Sequence, residues 1–123
     1  MLPALKNTRG QIEDRIGKEI TQFFLKYIGH GPKEIKTYII DDIVVVRIVD
    51  DLRTFEKALL ATNEETDIAT VKDLYRRMRE RYIKELLEII GNNTGCGIIC
   101  SHHDISTRTG ERIEVFILDS SLY

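Results

Sequence analysis

Residues Cys100 to Arg112, CSHHDISTRTGER, place a thiol, two imidazoles, two carboxylates and several hydroxyls in one short stretch. Two kinds of chemistry suit that set. A His-x-Asp pair on a strand puts both side chains on one side, about 7 Å apart, where they can share a metal ion. Cys100 and Ser101 are nucleophiles in type, and activating either takes a base that a third group holds in place. Ser101 and His102 are adjacent and point to opposite sides of a strand, so no triad and no catalytic residue is expected.

The elements that would position these groups read as a hairpin. Gly97–Ile105 and Glu111–Asp119 are predicted strands, turned through TRTG by a three-residue loop with Gly110 left-handed. That loop sets Ile105 opposite Ile113, His103 opposite Val115 and Ser101 opposite Ile117 as the more apolar face. On the other face Asp104 meets Glu114, His102 meets Phe116 and Cys100 meets Leu118. His102, Asp104 and Glu114 are then the candidate metal ligands, with Cys100 next in line. A straight strand spreads Cys100 and Asp104 too far for both to join His102 at one ion without a bulge. In the plainer reading Asp104 and Ser106 accept hydrogen bonds near the turn, Arg112 neutralises neighbouring carboxylates, and the histidines are half-buried strand residues. No cofactor is expected.

Upstream, Ile12, Ile16, Ile20, Phe23, Phe24 and Tyr27 recur at three-and-four spacing and predict an amphipathic helix over Thr8–Ile28, stopped by Gly29 and Pro32. EIKTYIIDDIVVVRIV follows, rich in β-branched residues and broken by Asp41-Asp42, which predicts a two-residue hairpin turn. Ile39 then pairs with Val44, Thr37 with Val46 and Ile35 with Ile48, six residues on one apolar face. A short helix from Thr54 to about Ala61 comes next. The stripe Ile68, Val71, Tyr75, Met78, Tyr82, Leu86 and Ile89 predicts a long helix from Thr66 to Gly91. The expected fold is a single α+β domain over residues 1–123. It has two layers, an antiparallel four-stranded sheet from two hairpins with helices on one face, in the order α-β-β-α-α-β-β.

Three further groups of residues are candidates for contact. The second face of the first hairpin carries Lys36, Tyr38, Ile40, Ile43, Val45 and Arg47, too apolar to face water comfortably, so a second layer or a partner subunit is expected over Tyr38, Ile40, Ile43 and Val45. His30, in GHGP, is an exposed contact candidate beside them. GHGP follows a helix and is a poor phosphate loop, because anion-binding loops precede helices. YRRMRERYIK is the basic cluster, and Arg76, Arg77 and Arg81 are the candidate nucleic-acid contacts. Glu80, Glu85 and Glu88 interleave with it, which favours a solvated helix face and makes nucleic acid an unexpected partner.

Composition bounds the rest. A net charge of −2 over 123 residues gives no global attraction to nucleic acid or anionic membrane. Cys96 and Cys100 are about 13 Å apart along one strand, beyond disulfide reach, and read as reduced intracellular thiols. No apolar run approaches the roughly 20 residues of a membrane span, so a cytosolic location is expected.

In chain order, GHGP, IKTYIIDDIVVVRI, the long helix ending before TG, and SHHDISTRTGERIEVFILD resemble the MpsC-like family, a bacterial domain of unknown function. The resemblance spans about Thr8 to Asp119 and is most specific over Ser101 to Phe116. Family members typically carry a basic residue between the first loop's glycines, usually arginine, and His30 departs from that. The family's name implies association with a sodium-translocating, membrane-potential-generating system, coupled in some bacteria to inorganic-carbon uptake. The resemblance carries over no catalytic residue. For a chain without spans it implies an accessory or regulatory protein acting by protein–protein binding at a membrane transport complex and peripheral to the inner face of the membrane, and the half-apolar face of the first hairpin adds the expectation of a homo-oligomer.

Overall fold

The computed structural model describes residues 7–50, 54–61 and 63–122. Its elements are α1 (Arg9–Ile28), β1 (Glu34–Ile40), β2 (Ile43–Val49), α2 (Thr54–Leu60), α3 (Glu65–Thr94), β3 (Ile98–Ile105) and β4 (Arg112–Leu118). The fold is α+β in the expected order, with the strands arranged β1-β2-β4-β3 and all antiparallel.

Helix α1 starts at a capping box. Thr8 Oγ1 accepts from the Gln11 amide at 3.1 Å, and Gln11 Oε1 accepts from the Thr8 amide at 2.9 Å. Gly29, at φ 83°, ends it in the left-handed region. Its stripe of Ile12, Ile16, Ile20 and Phe24 is buried against Ile39, Val44, Val46 and Ile48 of the first hairpin and against Tyr82, Leu86 and Ile90 of α3. The hairpin has the expected register, Ile39 opposite Val44 and Ile35 opposite Ile48. Asp41, at φ 54°, supplies the left-handed residue of its two-residue turn.

Gly17 packs directly against β1. A β-carbon there would stand 3.3 Å from Ile35 Cγ2 and 3.6 Å from Thr37 Oγ1. Gly17→Leu is therefore expected to destabilise the protein by about 2 kcal/mol through overpacking, despite leucine's better helix propensity, and urea denaturation measures it. Beside it, Glu13 Oε2 accepts from the amide of Ile39 at 2.7 Å, along the open edge of β1.

Two boundaries differ from those the sequence predicts. Helix α3 runs past Gly91 to Thr94 and ends at Gly95, φ 71°. Its extra turn is held from α1, since the Asn93 carboxamide accepts from Arg15 Nε at 3.0 Å and donates to Glu19 at 3.1 Å. The second hairpin closes through a four-residue loop, residues 107–110, rather than three. Ser106 N donates to Glu111 O and Gly110 N to Ser106 O, both at 2.8 Å, and the Ser106 hydroxyl accepts from the amides of Arg108 and Thr109 at 3.3 Å. That hydroxyl organises the longer loop.

One extra loop residue slips the register by one, which turns every β4 side chain to the other face. His103 pairs with Glu114, Ser101 with Phe116 and Ile105 with Arg112. Phe116 and Leu118 are thus core residues, while Ile113, Val115 and Ile117 face outward. All the core burial lies between one face of the sheet and α1 and α3.

Candidate functional site

The other face of the sheet carries no helix among the described residues. Alternation along each strand and pairing between strands arrange it in rows. Ile40, Ile43, Ile117 and Cys100 form the first row, Tyr38, Val45, Val115 and His102 the second, and Lys36, Arg47, Ile113 and Asp104 the third. Tyr38, Ile40 and Ile113 are 41%, 54% and 39% exposed, and Ile43, Val45, Val115 and Ile117 are half-buried by one another. Seven apolar side chains therefore form one continuous patch, bordered by cations on the β1 side and by Asp104 on the β3 side. Four of the five residues singled out for partner contact, Tyr38, Ile40, Ile43 and Val45, lie in it. His30 does not: it sits in the α1–β1 loop, where its Nε2 is 3.4 Å from Asp50 Oδ2.

The second hairpin separates the residues proposed as metal ligands. His102 and Asp104 stay on the outer face, but the slipped register puts Glu114 on the inner one. Cys100 Sγ lies 3.8 Å from His102 Nε2, and Asp104 Oδ1 accepts from the Ile105 amide at 2.8 Å and from Lys72 Nζ at 3.3 Å. The amide, then the ammonium, holds the Asp104 carboxyl below its ordinary range. Among the described residues no three His, Cys, Asp or Glu side chains are grouped to hold a metal ion.

Glu114 instead meets Arg79, whose Nε donates to both carboxylate oxygens at 2.8 and 3.0 Å while Nη2 donates to Ser101 Oγ at 3.1 Å. Glu114 is buried and Arg79 largely so, their side chains 4% and 11% exposed. Desolvation pushes the Glu114 carboxyl above its ordinary range, and the Arg79 guanidinium only partly opposes it. Desolvation, with Arg79 nearby, holds the His103 imidazole below its usual value. Sequence reasoning passed over Arg79 as one of a basic run. Its spacing from Tyr75, Tyr82 and Leu86 puts it on the buried stripe, and that was the available signal.

Of the three arginines proposed for nucleic acid, Arg76 pairs with Asp73 and Glu80, and Arg77 Nε lies 2.8 Å from Asp73 Oδ2. Arg81 is exposed beside them. Two of the three cations thus already carry carboxylate partners on an open helix surface.

With this geometry in hand, residues 8–120 match the family described as Na+-translocating membrane potential-generating system (MpsC). The chain belongs to that family. It is 34% identical over 118 residues to the uncharacterized protein YbcI of Bacillus subtilis (strain 168), covering 96% of this chain and 94% of that one. No solved structure matches it. Among the described residues no helix is long and apolar enough to cross a membrane.

Proposed function

We propose that the chain is a non-enzymatic accessory or regulatory protein of a membrane-potential-generating or inorganic-carbon and ion transport system, working from the cytosolic side by protein–protein binding. The observation that carries this reading is the face of the sheet that no helix covers among the described residues, with seven apolar side chains in three registered rows. The MpsC family description supports the membrane system as the setting.

The first occupant of that face is a second copy of the chain. Four strands of seven or eight residues span about 20 by 24 Å. That footprint, about 480 Å², is below the roughly 600–1,000 Å² per partner of a standard interface, so the association expected is a weak one. A two-fold axis parallel to the strands, between β2 and β4, lays β1 of one copy over β3 of the other. Ile43 then meets Ile117, Val45 meets Val115, Tyr38 meets His102 and Lys36 meets Asp104, each pair occurring twice. The lysine and the aspartate supply charge complementarity at both margins, on top of an apolar centre.

Light scattering on the purified chain tests this: a dimer is expected. Val45→Glu, which places a carboxylate at the centre, should weaken it by about 3 kcal/mol, roughly 100-fold in Kd, while circular dichroism stays that of the folded chain. Lys36→Glu and Asp104→Lys should each weaken the dimer and the double variant restore it. A wild-type monomer at high concentration, or a charge swap that restores nothing, would sink the proposal.

A further inference from the structure

A half-enclosed cavity of about 180 Å³ lies between the C-terminal end of α1, α2, α3 and the start of β4, away from the open sheet face. Arg112, the carboxylates of Glu56 and Asp50, and His30, whose Nε2 is 3.4 Å from Asp50 Oδ2, all line it, and Arg112 and Glu56 are the two opposite charges that matter here. The Arg112 guanidinium lies over the rings of Phe24 and Tyr75, 5.2 and 5.6 Å from their centroids. Glu56 is 2% exposed, and its Oε2 accepts from the Tyr75 hydroxyl at 2.7 Å. The Tyr75 ring is thus a spacer, with the cation over its face and the anion on its hydroxyl.

Among the described residues neither charge has an opposite partner within 4 Å. A buried charge without an opposite partner is expensive, and chains ordinarily pair it; that cost falls on Glu56, while Arg112 is half-buried. Here the two stand apart across a cavity whose remaining walls include Ile28, Leu74 and Met78.

We propose that this cavity binds a small zwitterion, an α-amino acid with a short aliphatic side chain, as a ligand distinct from the partner of the sheet face. Its carboxylate meets the outer edge of the Arg112 guanidinium, whose planar fork suits that group. Its ammonium meets the buried Glu56 carboxylate. The adjacency of the two charges on one carbon lets a single small molecule bridge groups that do not reach each other. The volume fits as well: a cavity of about 150 Å³ holds benzene, so this one takes about six to nine heavy atoms, the size range from alanine to leucine. The aliphatic walls receive the side chain.

Titration calorimetry with L-alanine, L-valine and L-leucine, in a buffer free of other amino acids, tests the assignment. Saturable one-to-one binding is expected for at least one of them. Isovalerate and isobutylamine share the valine skeleton and lack its ammonium and its carboxylate respectively, and each should bind at least about 10-fold more weakly than valine. Arg112→Gln should abolish the advantage of valine over isobutylamine, and Glu56→Gln its advantage over isovalerate. Isovalerate binding as tightly as valine would make this a simple anion site and overturn the proposal, as would no binding of any aliphatic amino acid up to about 10 mM. The analogue series uses the wild-type chain, so it decides the matter even where a variant folds poorly.

Discussion

Replacing Arg79 with leucine lowers the unfolding free energy by about 3–5 kcal/mol, the expected consequence of stranding the Glu114 carboxylate in the interior without its cation. Glu114 is 3% exposed and faces Arg79, with Ser101 beside the pair and Arg112 acting on it from the same strand. Chemical denaturation of Arg79→Leu, Glu114→Leu and the double variant measures the effect. The double variant should lie within about 1 kcal/mol of wild type, because an apolar pair of similar volume replaces a buried ion pair at little net cost. If Arg79→Leu alone is that benign, the pair is not buried as described.

The same substitution changes the pH dependence, with a definite sign. The folded-state value of Glu114 lies above its ordinary 4.5, so the folded state holds that proton more tightly than the unfolded one. Its contribution is complete below 4.5 and is lost as pH rises through the folded value. Removing Arg79 takes away the chief influence opposing burial, so the loss of stability from pH 4.5 upward should be larger in Arg79→Leu than in wild type. His103 acts in the opposite direction. Its lowered value gives stability that is present above 6.5 and lost as pH falls, and the nearby guanidinium contributes to that lowering. Arg79→Leu should therefore also flatten the wild-type decline below pH 6.5.

Phe116→Ala is the second large effect, about 3–5 kcal/mol, since the ring is fully buried among α1, α3 and the first hairpin. Val115→Ala, its neighbour on the open face, should lose less than about 1.5 kcal/mol. Both are measured by urea denaturation on the Val45→Glu background, so that dimerisation does not enter. A three-residue loop in the second hairpin would reverse the order, and the pair of measurements thus reports the register itself.

The contrast between the hairpins shows what the sequence could convey. In the first, six β-branched or aliphatic residues line up on one face, and the two-residue turn leaves a single register that buries Ile39, Val44, Val46 and Ile48 and half-buries Ile35 and Thr37. In the second, both registers offer a plausible apolar face, Ile113, Val115 and Ile117 in one and Phe116 and Leu118 in the other. The decision falls to the Ser106 hydroxyl and the loop length it organises, and TRTG alone does not announce either. The α1 stripe was legible because Ile12, Ile16, Ile20 and Phe24 repeat without interruption. The end of α3 was not, since Gly91 looks like a stop until Asn93 is seen bridging Arg15 and Glu19. The open sheet face was half legible. Its β1 and β2 residues were recognisable from alternation, and its β4 residues were hidden by the register. The Glu56 and Arg112 cavity joins residues far apart in the chain, and no local pattern marks it.

The Glu13 carboxylate on the amide of Ile39 has a further consequence for how copies of this chain meet. A strand arriving alongside β1 from another molecule needs that donor, and finds it occupied by the molecule's own side chain. Lateral growth into a continuous ribbon is thereby discouraged at its first rung, and in the proposed dimer the broad side of the sheet is the surface left for copies to meet.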